Sequence, residues 1–162
     1  MKQVERTAEI LAFKVLNRDI DKIWFEWAVE MLMNNFESEN LLFLAGENEN
    51  TNQFELQKIA EKALKELKLD YSNEENVIKD YICYLIDQAL TGNRSYKSVL
   101  QILKDLYYEV ENTSVLRDFY LLYYAYEDLE FDTVQHYWPE GDRENIDKII
   151  TNHFIKIKNQ CV

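Results

Sequence analysis

The stretch FYLLYYAYEDLEFD, at residues 119–132, decides the fold. Its first eight residues hold five aromatic and three aliphatic side chains, and four carboxylates follow within the next six. Apolar spacing of three and four residues is typical of an amphipathic helix, and here it forms a stripe of Val115, Phe119, Leu122, Tyr126 and Leu129. Tyr120 and Tyr124 fall outside that stripe, so this helix is either central in the fold or covered by something else.

The same helical spacing recurs along most of the chain, which has only 3 glycines and 1 proline in 162 residues. Average usage would supply about 11 and 8, and β-sandwiches and barrels need such residues for their many turns. We therefore predict an all-α fold, a compact bundle or orthogonal array of about seven to eight helices. No linker-like segment interrupts the pattern, so residues 1–162 are expected to form a single domain. The predicted helices cover residues 4–16, 21–34, 38–45, 53–67, 72–91, 95–110, 114–129 and 142–158.

Polar residues at the predicted helix starts indicate where several helices begin, because their side chains can accept bonds from the first free backbone N–H groups. Ser72 with Glu75 has the spacing of a capping box. The other predicted N-caps are Ser38, Ser95, Thr113 or Ser114, and Asp142.

Two cysteines, Cys83 and Cys161, lie far apart and outside any CxxC or Cys/His cluster. We expect a small buried residue at 83 and a free thiol at 161. The first residues, MKQVERTAEILAFK, do not resemble a signal peptide, and no apolar run approaches the roughly 18 residues of a membrane span. These features predict a cytoplasmic protein that is not embedded in a membrane.

The net charge is −12, from 18 basic and 30 acidic residues. Nucleic acids and anionic membranes bind cationic surfaces, so this balance disfavours both as partners. Within residues 105–147, twelve acids stand against Arg117 and Arg143 alone, and the same segment holds ten of the 22 aromatic residues. The negative charge is therefore concentrated where the tyrosines are.

Catalytic and metal-binding motifs were sought without success. His136 and His153 are the only histidines, and neither belongs to an HExxH motif or to a pair at metal-ligand spacing. Asp128, Glu130 and Asp132 have the spacing that opens a calcium loop, but that loop then lacks its glycine and its final glutamate. With no glycine-rich phosphate loop either, we expect no metal and no cofactor.

Four carboxylates near the end of the tyrosine-rich helix oppose the helix dipole, at a cost of roughly 0.3–1 kcal/mol each if exposed. A cationic partner would turn that cost into attraction, and tyrosine suits interfaces because it is apolar with a polar tip. This interpretation predicts exposed tyrosines at 120 and 124, with Tyr123 and Tyr126 more buried. The competing interpretation is a core helix with an ordinary acidic rim. The candidate partner-binding residues are Tyr120, Tyr124, Glu127, Asp128, Glu130 and Asp132.

We therefore predict a non-enzymatic acidic protein that binds a basic protein partner, with an antidote or immunity protein against a nuclease toxin as the specific form. Two alternatives stay open. One is an enzyme or small-ligand protein with a pocket at His136, Tyr137, Trp138 and Glu140, which cluster at a break in the pattern. The other is a structural helical protein whose tyrosine-rich helix buries against its own copy.

Several segments resemble a set of small, uncharacterised bacterial all-helical proteins. They are WFEWAVEML at 24–32, SENLLFLAG at 38–46, FELQKIAEKALKELKL at 54–69 and NIDKII at 145–150. The resemblance spans most of the chain and implies a helical fold. Its residues are helix-packing residues, so it implies no activity.

Overall fold

The computed structural model describes residues 4–110 and 113–161, and within them eight α-helices form and no strand does. The all-α prediction and the expected number of helices are confirmed. In chain order the helices are α1 (Thr7–Val15), α2 (Lys22–Met33), α3 (Glu39–Ala45), α4 (Gln53–Glu66), α5 (Glu74–Leu90), α6 (Tyr96–Glu109), α7 (Ser114–Phe131) and α8 (Ile146–Lys158).

Contacts between residues divide the chain into two units, residues 1–81 and 82–162. The boundary falls inside α5, so this one helix supplies its N-terminal part to the first unit and its C-terminal part to the second. The prediction of a single domain over residues 1–162 is not tested by this division and stays a prediction.

The first unit is organised around two tryptophans of α2. Trp24 and Trp27 are both fully buried, with ring centroids 6.1 Å apart in an edge-to-face arrangement. The indole N–H of Trp27 donates to the hydroxyl of Thr7 at 3.0 Å, which joins α1 to α2. This bond spares the Trp27 indole the cost of a buried polar group without a partner, whereas the buried indole N–H of Trp24 has no acceptor among the described residues.

Gln53, the first residue of α4, holds the segment between α1 and α2. Its amide nitrogen donates to the carbonyl of Ile20 at 2.8 Å, and its amide oxygen accepts from the backbone N–H of Ile20 at 2.8 Å. Gln57, one turn further, donates to the carbonyl of Arg18 at 3.1 Å. Two glutamines of α4 therefore anchor the loop between α1 and α2 through hydrogen bonds to its backbone.

The second unit is built on the packing of α6 against α7, with α8 against α7. Phe119 of α7 and Phe154 of α8 are both fully buried, with ring centroids 5.5 Å apart. The aliphatic side chains around them are also buried: Val99, Leu100, Leu103, Leu106, Leu116, Leu122, Leu129, Ile146 and Ile150. This core leaves the remaining faces of α6 and α7 to polar and aromatic residues.

The prediction of two free cysteines is wrong. Cys83 in α5 and Cys161, just past α8, form a disulfide with Cα atoms 6.1 Å apart. An ion pair between Lys158 and Asp87 lies between the same two elements. The two cysteines are 78 residues apart in sequence, and only the packing of α8 brings Cys161 close to α5. The pairing could therefore not be predicted from the sequence.

Two of the predicted caps are confirmed, the cap at Ser72 is wrong, Thr113 makes no capping hydrogen bond at the start of α7, and Asp142 caps a turn that precedes α8. The hydroxyls of Ser38 and Ser95 accept from backbone N–H groups at the starts of α3 and α6, at 3.0 and 3.2 Å. At α5 the cap is Asn73 rather than Ser72, whose own N–H is taken by Asp70 at 2.9 Å. Asp142 accepts two backbone N–H groups in the turn before α8, so the helix begins four residues later than predicted.

Removal of the disulfide should destabilise the second unit. A Cys83→Ser/Cys161→Ser variant is expected to lose about 2–4 kcal/mol of unfolding free energy, since the crosslink restricts the unfolded chain over a long loop. Urea denaturation followed by circular dichroism measures the loss. A reducing agent should lower the stability of the unaltered protein and leave the double serine variant unchanged. Equal midpoints for the two proteins under oxidising conditions would contradict a stabilising crosslink.

Candidate functional site

Four tyrosines from three elements of the second unit form a continuous line of touching rings, which we call the tyrosine row. Tyr108 of α6 lies 5.7 Å from Tyr120 of α7, Tyr120 lies 5.0 Å from Tyr124, and Tyr124 lies 5.3 Å from Tyr137 in the loop after α7. All are distances between ring centroids in the range of favourable aromatic pairs. Tyr107 adds a contact to Tyr120 at 5.0 Å.

The row is open to solvent, most of all at its two ends. Tyr108 is 64% exposed and Tyr137 is 39% exposed, while Tyr120 and Tyr124 are half-buried. Full burial of Tyr120 and Tyr124 would have removed the aromatic part of a docking surface, and it does not occur. Tyr123 is buried, whereas the other tyrosine expected on the core side, Tyr126, is half-buried like the tyrosines of the row.

The tyrosine row contains residues from both predicted sites, which the sequence analysis treated as separate. Tyr120 and Tyr124 belong to the predicted partner-binding set, and Tyr137 belongs to the predicted pocket. Neither predicted set includes Tyr108, although it lies one residue from the end of α6 and follows another tyrosine. No periodicity within α7 identifies a ring that comes from the neighbouring helix.

Neighbouring tyrosine hydroxyls raise the pKa of Tyr108 and of Tyr120. A hydrogen bond with Tyr124 is the largest cause that raises the pKa of Tyr108, and a hydrogen bond with Tyr108 is the largest that raises the pKa of Tyr120. Hydrogen bonding between neutral phenols disfavours ionisation, so these groups stay protonated over a wider pH range. The row therefore presents neutral rings with polar tips.

The predicted acidic residues divide into paired and unpaired groups. Glu130 forms an ion pair with Lys97 of α6 at 2.7 Å, and Glu127 accepts from the hydroxyl of Tyr123 at 3.5 Å. Within residues 4–110 and 113–161, no lysine or arginine forms an ion pair with Asp128 or Asp132. Glu111, one of the acids counted in the sequence, lies outside the described residues.

The C-terminus of α7 already has cations of its own. Arg143 donates from Nε to the carbonyl of Leu129 at 2.8 Å, and Lys97 lies against Glu130. Positive groups at this end of a helix interact favourably with its dipole. The unfavourable interaction of the carboxylates with the helix dipole is therefore smaller than four carboxylates without cations would produce. Most of what remains comes from Asp128 and Asp132.

One cation of the chain is held between a tyrosine ring and a carboxylate. Lys104 Nζ lies 4.7 Å from the ring centroid of Tyr123 and 2.9 Å from Oδ1 of Asp105. The Lys104 side chain is only 14% exposed, and the hydrogen bond to Asp105 raises its pKa. Ring face and carboxylate together thus stabilise a cation that has lost most of its contact with water.

The predicted pocket residues lie on a loop whose interior is filled by Gln135. This buried side chain donates to the carbonyls of Trp138 and, at 2.9 Å, Gly141, and it accepts from the backbone N–H groups of Tyr137 and Trp138 at 2.8 Å. His136, Tyr137 and Glu140 are exposed and Trp138 is half-buried. One amide thus makes four hydrogen bonds that set the shape of the loop and the position of Tyr137.

A cavity of about 140 Å³ lies within the first unit. Its polar wall includes Asp70, Asn73 and Asn76, which already form the turn before α5: Asp70 accepts from Ser72, and Asn73 accepts from the backbone of Asn76. Ala8 and Leu11 supply apolar wall. Asp70 and Asn73 are therefore engaged in the turn and the cap before α5, and Asp80 also lines the cavity.

The described part of the chain contains no group of three or more His, Cys, Asp or Glu side chains placed to hold a metal ion. Glu26 and Glu30, a carboxylate pair on α2, both contact Arg6, at 3.3 and 4.0 Å. Among the helices in residues 4–110 and 113–161, none has the length and apolar character that a membrane crossing requires.

Comparison with known proteins gives no match to any family model, to any curated protein or to any solved structure. The resemblance to small bacterial helical proteins therefore stays a prediction. The function has to be argued from the geometry of this chain alone.

His153 should make the stability of the second unit depend on pH. Burial lowers its pKa below the ordinary 6.5, with Asp118, 3.5 Å away, acting in the opposite direction. The unfolded chain then takes up the proton first, so stability is highest above about pH 6.5 and falls as the pH drops toward the folded pKa. Urea midpoints at pH 7.5 and 5.5 should differ more for the unaltered protein than for His153→Gln. The matched control is His136→Gln on the exposed loop, and an unchanged pH dependence in His153→Gln would contradict the argument.

Charge reversal at the unpaired acids should not harm folding. An Asp128→Lys/Asp132→Lys variant is expected to have unchanged or slightly higher stability, by no more than about 0.3–1 kcal/mol per site, because lysine suits a helix C-terminus. Thermal and urea unfolding measure this. A loss of more than about 1 kcal/mol would show that the two carboxylates support the fold instead of being available to a partner.

Proposed function

We propose that this chain is a non-enzymatic binding protein that docks a basic protein partner. The surface responsible, here called the acidic tyrosine surface, consists of Tyr108, Tyr120, Tyr124, Glu127, Asp128, Glu130, Asp132 and Tyr137. The observation that carries the proposal is a row of touching, partly exposed rings, two of them on the helix that also carries Asp128 and is followed by Asp132. Neither carboxylate forms an ion pair with a lysine or arginine among the described residues.

Both components of this surface fit the recognition of a cationic protein. Tyrosine side chains are enriched at interfaces, where they bury large area at low entropic cost and keep a hydrogen-bonding tip. Carboxylates beside them steer a basic partner, which raises the association rate more than it raises the final affinity. The total charge of −12 extends that attraction beyond the contact itself.

The specific form of the proposal is an antidote or immunity protein that covers the cationic site of a nuclease toxin. Its support is physical: such a toxin is basic because it binds nucleic acid, and a small acidic protein competes for the same charge. A basic toxin-like reading frame beside the coding sequence of this chain would favour the antidote form over a general adaptor role.

The alternatives receive less support. In a two-fold homodimer the same surface patch faces itself, which would place Asp128 and Asp132 opposite like charges. An enzyme site at His136 and Glu140 would need a pocket, and Gln135 fills the interior of that loop. We therefore prefer a different protein as partner over a second copy or a small substrate.

The disulfide bears on where the partner is met. Disulfides persist in oxidising compartments and are rare in the cytosol of most cells. We accordingly propose a compartment that keeps Cys83 and Cys161 oxidised, instead of the cytoplasm predicted from the sequence. Alkylation of free thiols before lysis, followed by mass spectrometry, should leave both cysteines unmodified, whereas two alkylated cysteines would favour the cytoplasm.

Partner binding should depend on the acidic tyrosine surface. The immobilised chain is expected to retain a basic protein from native lysate, and Asp128→Lys/Asp132→Lys should lose it. The retained protein is then purified, and its association rate is measured by stopped flow at low and high salt. We expect the double variant to slow association by about tenfold or more at low salt, with a smaller difference at high salt because salt screens the attraction.

The matched control is Glu37→Lys/Glu49→Lys, which reverses two exposed acids in the first unit and changes the total charge by the same amount. It should retain the partner and leave the association rate nearly unchanged. Equal losses for the two double variants would mean that only the overall charge matters. If the captured protein binds both variants as well as it binds the unaltered chain, the proposal for this surface is wrong. Light scattering of the purified chain tests the homodimer alternative.

A further inference from the structure

The chain itself shows how its surface holds a cation. Lys104 lies over the ring of Tyr123 with its charge paired to Asp105, at 4.7 and 2.9 Å. Tyr123 and Tyr124 are neighbours in α7, with ring centroids 5.2 Å apart. Tyr124 and Asp128 are also a tyrosine and a carboxylate, here one turn apart on α7. There, none of the described lysines or arginines forms an ion pair with the carboxylate.

The length of the tyrosine row limits what can lie along it. Its three steps of 5.7, 5.0 and 5.3 Å give a path from Tyr108 to Tyr137 of at most about 16 Å. An extended chain rises about 3.3 Å per residue, so roughly five residues cover the row. Side chains on one face of that segment recur every second residue, roughly 6.6 Å apart, which is close to the spacing of the rings.

We propose that the partner contacts this surface through a short extended segment with arginines at alternate positions, of the form Arg-x-Arg. This inference rests on the proposed function and names the chemistry of the partner. Arginine is preferred to lysine because a planar guanidinium can stack on a tyrosine ring while its edge pairs with a carboxylate. A lysine ammonium is a compact, strongly hydrated charge that offers no planar face to the ring.

A second copy of the chain cannot supply this segment. Its five arginines are isolated in sequence, at positions 6, 18, 94, 117 and 143, so no Arg-x-Arg occurs in it. Arg143 is also engaged already, with the carbonyl of Leu129. The segment must therefore come from a different protein.

The test uses three fluorescein-labelled peptides of seven residues, with two arginines, two lysines or two citrullines at alternate central positions. Citrulline keeps the planar shape of arginine without its charge. Fluorescence polarisation with the full chain at low salt should show the arginine peptide binding about threefold or more tightly than the lysine peptide. The citrulline peptide should bind too weakly to saturate.

Variants locate the binding. Tyr124→Leu and Asp128→Asn/Asp132→Asn are each expected to weaken binding of the arginine peptide by about fivefold or more. Tyr71→Leu and Glu37→Gln/Glu49→Gln make the same kinds of change in the first unit, with the same change in charge, and should leave binding of the arginine peptide unaltered. Circular dichroism of every variant confirms that the fold is intact, so that a loss reflects the surface and not the core.

The outcomes separate this inference from the proposed function. Equal binding of the arginine and lysine peptides, lost in the variants, would overturn the preference for arginine and keep a basic partner. Binding that survives both surface variants would place the segment elsewhere and overturn the inference. If no peptide binds while a basic protein is still captured in a manner sensitive to Asp128 and Asp132, the partner uses a folded surface instead, and the Arg-x-Arg segment is wrong.

Discussion

Burial of one stripe of α7 against α6 and α8 is the constraint on which the second unit depends. Phe119 is fully enclosed, with Phe154 at 5.5 Å and His153 at 5.1 Å from its ring. Because Leu116, Phe119, Leu122 and Leu129 take the inner face, Tyr120 and Tyr124 are turned to the rim, where rings from α6 and from the following loop join them. The surface proposed to bind a partner is thus a direct result of how the core is filled.

Charge on this rim is arranged in two ways with different consequences. Where α6 supplies a cation, as Lys97 does for Glu130 and Lys104 does for Asp105, the acid supports the fold. The partly exposed Lys97–Glu130 pair contributes little, about 0–1 kcal/mol. Asp128 and Asp132 form no ion pair with a described lysine or arginine. In the proposed function, these two acids attract a partner instead.

Capping residues in the sequence predicted helix starts correctly where one candidate stood alone, and less well where two adjacent residues could both serve as the cap. Ser38 and Ser95 cap their helices as expected, since a hydroxyl at a helix start has one obvious use. Ser72 and Asn73 are adjacent and both suited to capping, and the turn formed by Asp70 decides between them. Within the candidate site, Tyr120, Tyr124 and the acids were predicted from helical periodicity. Tyr108 and the disulfide between Cys83 and Cys161 could not be predicted in this way, because their partners lie on other elements.

The sequence by itself determined that this protein is helical, that its charge is negative and concentrated, and that aromatic and acidic residues coincide near the end of α7. These are properties of composition and of spacing within one helix, which the chain carries before it folds. Only the tertiary structure decided which tyrosines touch, which carboxylates receive a cation and which cysteines pair. Those outcomes depend on distances between residues remote in sequence, and such distances are set by the packing of whole helices.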